Sequence, residues 1–340
     1  MHKSSKKIAV LGAGSWGTAM AIMMARNGHL VTLWGHNPSH IKQLKEQRVN
    51  ERFLPGTSFP DTLILSSDLK TMVAEHQLIM IGVPSHAFRS TLAQCKPYLR
   101  KGAFVTWITK GFETDTGLLT HEVVEQELGA GTRMALISGP SFALEVAQGL
   151  PTAIVVASPN IDDATYIADI LRCKRFLSFP SDHIASAEIG GSIKNILAIA
   201  AGISDGLGFG ANARAALITL GLNEMVQLGH VYKCSESSFL GLAGVGDLVL
   251  TCTDDKSRNR RLGLQLGLGT DLQTALKQIG QEVEGIHAAR EVNALCHKLA
   301  LDMPICKQVY RILFEGLDPE LAVNKLLLRA QKVVPNQDFT

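Results

Sequence analysis

The sequence predicts an α/β fold: a doubly wound, mostly parallel sheet followed by an all-α C-terminal domain. Three observations carry that expectation. Short apolar runs alternate with helical stretches through the first half of the chain. Those runs are continuously apolar rather than alternating, as strands covered on both faces must be. Beyond about residue 185 only helix-like segments remain. The stretch "SDHIASAEIGG" is the expected junction, dividing residues 1–185 from 186–335 without a long Ser/Pro linker.

In chain order, strands are expected at 8–12 ("IAVLG"), 30–34, 78–84, 104–110, 134–139 and 152–158, with a last edge strand at 176–181. Helices at 17–27, 41–51 and 118–128 lie between them, and such strand–helix–strand alternation implies right-handed crossovers. In the second half, helices are expected at 189–201, 211–228, 271–279, 287–299, 305–316 and 319–328.

A chain of 340 residues is long enough for two domains, each with its own core. The net charge of +2 gives no electrostatic case for nucleic acid or an anionic membrane, so any anion must be held by local groups. The six cysteines show no CxxC spacing and read as core filler in a reducing compartment; with no HExxH, no metal site is expected. Lys3, Lys6 and Lys7 precede an uncharged stretch over 8–25, the outline of a signal peptide. Its apolar core before Gly12 is too short, and each glycine costs a helix about 1 kcal/mol. Elsewhere the longest apolar run, 196–203, falls far short of the roughly 20 residues that span a bilayer. The expectation is a cytoplasmic chain without stable membrane insertion.

"GAGSWG", residues 12–17, is GxGxxG with a strand before it and a helix after it, the signature of a Rossmann-type dinucleotide site. Gly12 permits the tight turn, Gly14 lets backbone approach a pyrophosphate, and Gly17 lets helix and strand pack closely. Free N–H groups at the helix start attract the phosphates. A carboxylate at the end of the second strand would bind the ribose 2′-hydroxyl, but Gly35, His36 and Asn37 stand there. His36 is either a surface turn residue or a donor to a 2′-phosphate, so NADP(H) is allowed beside NAD(H). "GVPSH" (82–86) and "TKGFE" (109–113) follow strands in the same manner, which aims Lys110 at the same crevice.

In the helical half, Lys194 is the only charged residue between Ile189 and Ser204. Either it snorkels outward or it is held in a cleft, where desolvation would lower its pKa toward that of a proton-transfer catalyst. The stretch 244–261 combines a glycine-rich turn, Asp247 and the cluster Ser257, Arg258, Asn259. A hydroxyl, a guanidinium and an amide at a helix start suit a phosphomonoester; the alternative is a solvated basic face. Glu284 of "VEG" says little by itself.

Together, "GAGSWGTA", "TKGFE", "SGPSFALEVAQGLPTA", "GGSIKN", "GLAGVGDLVLTC", "SRNRRLG" and "VEG" resemble, in order and spacing, the bacterial-type NAD(P)-dependent glycerol-3-phosphate dehydrogenases. The resemblance implies reduction of dihydroxyacetone phosphate to sn-glycerol 3-phosphate, supplying phospholipid synthesis. It implies cofactor positions at Ser15, Trp16, His36, Lys110, Ala143, Arg258, Glu282 and Glu284, with Glu282 standing where an apolar residue is more usual. Substrate positions carry over to Lys110, Gly139, Ser141, Lys194, Asp247, Ser257, Arg258 and Asn259, with Lys194 as the proton donor or acceptor. Two other readings stay open: a dehydrogenase of hydroxy or sugar acids, and a non-catalytic NAD(P) sensor. Pairing of apolar helices into a homodimer is also left open.

Overall fold

The computed structural model describes residues 5–333. In chain order the strands are β1 (Lys7–Leu11), β2 (Leu30–Trp34), β3 (Val49–Asn50), β4 (Leu54–Ser58), β5 (Ile64–Ser66), β6 (Leu78–Ile81), β7 (Phe104–Trp107), β8 (Arg133–Ser138), β9 (Thr152–Ala157) and β10 (Phe176–Ser181). Eight of them form one sheet, ordered β10-β9-β8-β7-β6-β1-β2-β5, while β3 pairs with β4 alone. β1 and β6 are apolar and buried on both faces, which is why they read as unbroken runs. The chain leaves β1 toward β2 and returns to β6 on its other side, so strand order reverses between β1 and β6.

Helices α1 (Ser15–Arg26), α2 (Pro38–Gln47), α3 (Leu69–Glu75), α4 (Phe88–Cys95), α5 (Thr120–Leu128), α6 (Ala143–Gln148) and α7 (Ile161–Leu171) cover the sheet. Met20 and Met24 of α1 pack with Ile167 of α7 on one face, and Leu92 of α4 packs with Val123 of α5 on the other. Within the sheet only the β8–β9 pairing is antiparallel. The cause is the short α6: six residues rise about 9 Å, whereas a six-residue strand spans about 20 Å. The chain therefore re-enters the sheet at the end it left.

The helix expected over 41–51 stops at Gln47, because Arg48 adopts a left-handed φ of 52° and closes α2. Val49 and Asn50 then enter a hairpin that was not anticipated. The strands expected over 78–84 and 104–110 end at Ile81 and Trp107, which leaves the Gly82 turn and Lys110 beyond the strand ends. Helices α3, α4, α6 and α7 were also not anticipated.

The helical half consists of α8 (Ile184–Gly206), α9 (Gly210–Val231), α10 (Asp247–Thr253), α11 (Arg258–Gly267), α12 (Leu272–Ile279), α13 (Glu284–Leu299), α14 (Pro304–Glu315) and α15 (Pro319–Val333). Helix α8 is long and apolar enough to cross a membrane by composition, yet 94% of its most apolar window is buried inside the fold. It is the spine of the domain, and α11 crosses it at close range. Added Cβ atoms on Gly202 and Gly263 would lie 2.1 Å from the Arg260 carbonyl oxygen and 2.0 Å from that of Ile199. Two pairs of glycines spaced by four, 202 and 206 on α8 and 263 and 267 on α11, let the backbones touch. That contact sets the start of α11 beside the middle of α8.

Candidate active site

Between β1 and α1 the chain has room for only Gly12, Ala13 and Gly14. Gly12 has a φ of +123°, and a Cβ there would lie 2.5 Å from the Gly82 carbonyl oxygen. Only glycine lets the turns after β1 and β6 meet at the point where strand order reverses. A Cβ on Gly17 would fall 2.0 Å from the Gly12 carbonyl oxygen. Gly14 differs: its φ is an ordinary −80°, and no protein atom lies within 4 Å of its Cβ position. The fold does not need glycine there, but a phosphate at the start of α1 would. The buried Asn50 fixes the loop from the hairpin side, donating to the Ala13 carbonyl at 3.0 Å and to Thr18 Oγ1 at 2.9 Å.

A cavity of about 1240 Å³ runs from this loop to the helical domain. At the second-strand end it is lined by His36, His40 and Arg52. Among the described residues, His40 Nε2 is buried without a hydrogen-bond partner. Burial lowers the His40 pKa, the neighbouring Asn50 amide opposes that shift, and the Arg52 and His36 charges lower it further. Arg52, carried by the hairpin, rests its guanidinium 4.9 Å from the Phe53 ring centroid. It supplies the guanidinium that the stretch 35–37 lacks. The residues thus fit a dinucleotide: an open notch at Gly14, an orphaned nitrogen at His40 and a cation at Arg52.

Toward the other end, Asp247 opens α10 fully buried between two lysines. Lys194 Nζ, from α8, donates to Asp247 Oδ1 at 2.5 Å and to Thr251 Oγ1 at 3.1 Å. Lys110 Nζ, from the turn after β7, donates to Asp247 Oδ2 at 2.7 Å and reaches the Gly139 carbonyl at 3.4 Å. Burial alone would raise the Asp247 pKa, but the two ammonium groups outweigh it and hold the group ionised. For Lys194, burial dominates and brings the amine down to about 8, with Asp247 pulling up and Lys110 pulling down. Two ammoniums against one carboxylate leave a net positive charge facing the cavity.

The α8–α11 crossing places the phosphate candidates here. Ser257 caps α11, its Oγ accepting the Arg260 N–H at 3.2 Å. Arg258 begins the helix and lines the cavity, and among the described residues no hydrogen bond engages its guanidinium. Burial lowers the Arg258 pKa from its ordinary value, opposed by the nearby Glu284 charge. A half-buried arginine without a partner at a helix N-terminus is an anion site in waiting. Asn259 is partly committed: its Nδ2 donates to Asn195 Oδ1 at 2.9 Å, and its Oδ1 accepts the Gly285 N–H at 2.9 Å. One amide hydrogen remains for a ligand.

Ser141 and Ala143 line the cavity beside Trp16, while Gly17 and Gly139 stand behind its wall. Gly139 acts through its carbonyl, which accepts from Lys110 and from Ser141 Oγ at 2.9 Å. Glu284, at the start of α13, accepts from Ser85 Oγ at 2.9 Å, and burial raises its pKa. Glu282 lies at the cavity mouth, exposed, with its Oε1 2.7 Å from His287 Nε2. Sequence reasoning set the turn 82–86 at the crevice without singling out Ser85, and it missed Arg52, Asn195 and Thr251. Only Thr251 carried a legible signal, since it lies four residues beyond Asp247, one helical turn.

The N-terminal profile of the NAD-dependent glycerol-3-phosphate dehydrogenases matches residues 7–164, and the C-terminal profile matches residues 183–324. The chain belongs to this family. It is 49% identical over 333 residues to glycerol-3-phosphate dehydrogenase [NAD(P)+] of Pseudoalteromonas translucida, covering 98% of this chain and 99% of the relative. The counterpart from Citrobacter koseri is 48% identical over 333 residues, with 98% of both chains covered. The crystal structure of glycerol-3-phosphate dehydrogenase from Coxiella burnetii superposes with a TM-score of 0.92 at 48% identity, over 95% of this chain and 99% of that one. The glycerol-3-phosphate dehydrogenase family thus shares both halves of this chain, and the crevice lies where the two halves meet.

Proposed function

We propose that this enzyme reduces dihydroxyacetone phosphate to sn-glycerol 3-phosphate at the expense of NAD(P)H, reversibly. The observation that carries the reading is the Lys194–Asp247–Lys110 bridge sharing one cavity with the Gly14 notch and the unpaired Arg258. Ser15, Trp16, His36, Arg52, Ala143 and Glu284 are positioned to hold the dinucleotide. Bound there, the reduced nicotinamide supplies the hydride.

The protein's own residues do the rest. Arg258, with the free N–H groups at the start of α11 and the remaining Asn259 amide hydrogen, holds the substrate phosphate. Binding energy gained at that remote group orients the ketone, a contribution of several kcal/mol in favourable cases. Lys194 as ammonium donates a proton to the oxygen that becomes the alcohol, and as amine removes it in the reverse direction. Lys110 adds positive charge beside that oxygen. Asp247 has both oxygens engaged by the lysines, which supports an orienting role rather than direct contact with the substrate.

Arg52 beside His36 favours NADPH over NADH, because a guanidinium forks onto a 2′-phosphate. The buried α8 and six free thiols support a cytoplasmic location. The test follows reduced-nicotinamide absorbance with dihydroxyacetone phosphate, then with 2-keto acids, using each coenzyme in turn. Turnover is expected with the triose phosphate and not with the acids. Oxidation driven by a keto acid alone would transfer the function to the hydroxy-acid reading.

A further inference from the structure

At the mouth of the cavity, where the two halves meet, three side chains with metal-ligating atoms converge from two distant segments. His86 stands in the turn Ser85–Ala87 after β6, while Glu282 and His287 flank the start of α13. One ligand atom from each lies within 4.8 Å of the other two. His287 Nε2 is 2.7 Å from Glu282 Oε1, and the His86 and His287 rings stand 5.5 Å apart between centroids. His86 and Glu282 are exposed and His287 half-buried, so their rotamers are free to adjust. No metal-motif spacing marks these residues in the chain, because His86 and the pair Glu282 and His287 come from separate segments.

We propose that His86, Glu282 and His287 bind a divalent transition-metal ion of the zinc class. Two imidazoles and one carboxylate are the donor set of such ions, whereas magnesium and calcium take oxygen ligands. With bonds of about 2.0–2.2 Å, the donor atoms of a tetrahedral ion lie about 3.4 Å apart, so side-chain adjustments of roughly 1.4 Å or less complete the site, closing the wider pairs, which lie within 4.8 Å, and opening the 2.7 Å His287–Glu282 pair slightly. Three protein ligands leave the fourth position to water. The ion joins the turn after β6 to the start of α13, so it ties the Rossmann half to the helical half. The tie sits one residue from Ser85 and two from Glu284, whose hydrogen bond already spans the same seam. Metal binding therefore holds the crevice mouth together and slows exchange through it, which makes the ion a reversible brake on turnover. The site stands on its own geometry and does not depend on which ketone is reduced.

The experiment uses the full chain freed of metal with chelator and then desalted. Zn2+ affinity is measured by competition with a chromophoric chelator for wild type, His86→Ala and His287→Ala, and Co2+ is added in parallel to read its visible absorption. Wild type should take up one ion with the intense band of a tetrahedral Co2+ site. Each variant should bind at least about 10–100-fold more weakly, since even losing an outer partner of a ligand costs that much. Steady-state rates, each normalised to its own metal-free value, should fall with Zn2+ in wild type and stay level in the variants. Equal affinity in all three proteins, or no uptake by wild type, would overturn the site. Loss of binding in the variants with unchanged inhibition would overturn the brake.

Discussion

Lys194 is buried among apolar neighbours on α8, and that burial brings its amine down to about 8 although Asp247 opposes the shift. The sign of the resulting pH dependence follows from its protonation state. Ketone reduction needs the ammonium, which prevails below the pKa, so kcat for reduction should be level at neutral pH and fall as pH rises through about 8. Oxidation of glycerol 3-phosphate needs the amine and should rise through the same range. Profiles of kcat in both directions, with coenzyme saturating, check this; parallel profiles would remove Lys194 from the proton transfer. Lys194 was legible in the sequence because a lone charge in an apolar helix is chemically conspicuous. Its coupling to Lys110 through Asp247 was not, since residues 110, 194 and 247 meet only when the domains pack. The same holds for Arg52 and Asn195, each ordinary in its local context.

At the scale of elements, two glycines separate folding from binding. Gly14→Ala should fold and melt like wild type, because its Cβ meets no protein atom, while coenzyme affinity drops by about tenfold or more as the methyl enters the phosphate notch. Gly263→Ala should do the reverse of that. Its Cβ would sit 2.0 Å from the Ile199 carbonyl oxygen, and overpacking of this kind costs about 1–3 kcal/mol. Because α11 must then move away from α8, Arg258 retreats from Lys194 and the triose-phosphate KM should rise. Thermal melts with coenzyme fluorescence titrations separate the two cases. The glycine loop and the central strands were readable because local pattern dictates them. The β3–β4 hairpin was not, since two-residue strands leave no periodicity. The reversed direction of β9 depends on the length of α6, and the α8–α11 crossing hides in two glycine pairs that look innocuous without a partner helix.

For the molecule as a whole, function comes from two domains meeting over one crevice, and the hairpin contributes to both. Its Arg52 carbonyl accepts from Gln281 Nε2 at 3.3 Å, while Arg52 also lines the cavity, as do His36 and His40. Arg52→Ala should therefore weaken NADPH by about tenfold or more and leave NADH nearly unchanged, which is the loss expected of a phosphate fork and not of a general packing defect. Direct binding titrations with both coenzymes read that difference; an equal loss for both would make Arg52 a structural residue. The broad architecture was legible from the switch between apolar strands and apolar helices near residue 185. Which side chains the crevice brings together was not, because that depends on how the halves dock.

The most direct measurement is single-turnover oxidation of bound NADPH by dihydroxyacetone phosphate, wild type against Lys194→Ala, with coenzyme affinity determined on the same samples. A proton donor poised at the ketone predicts a loss of at least about 100-fold in the rate, with NADPH bound as tightly as before. A variant that oxidises NADPH within a few fold of wild type would contradict it.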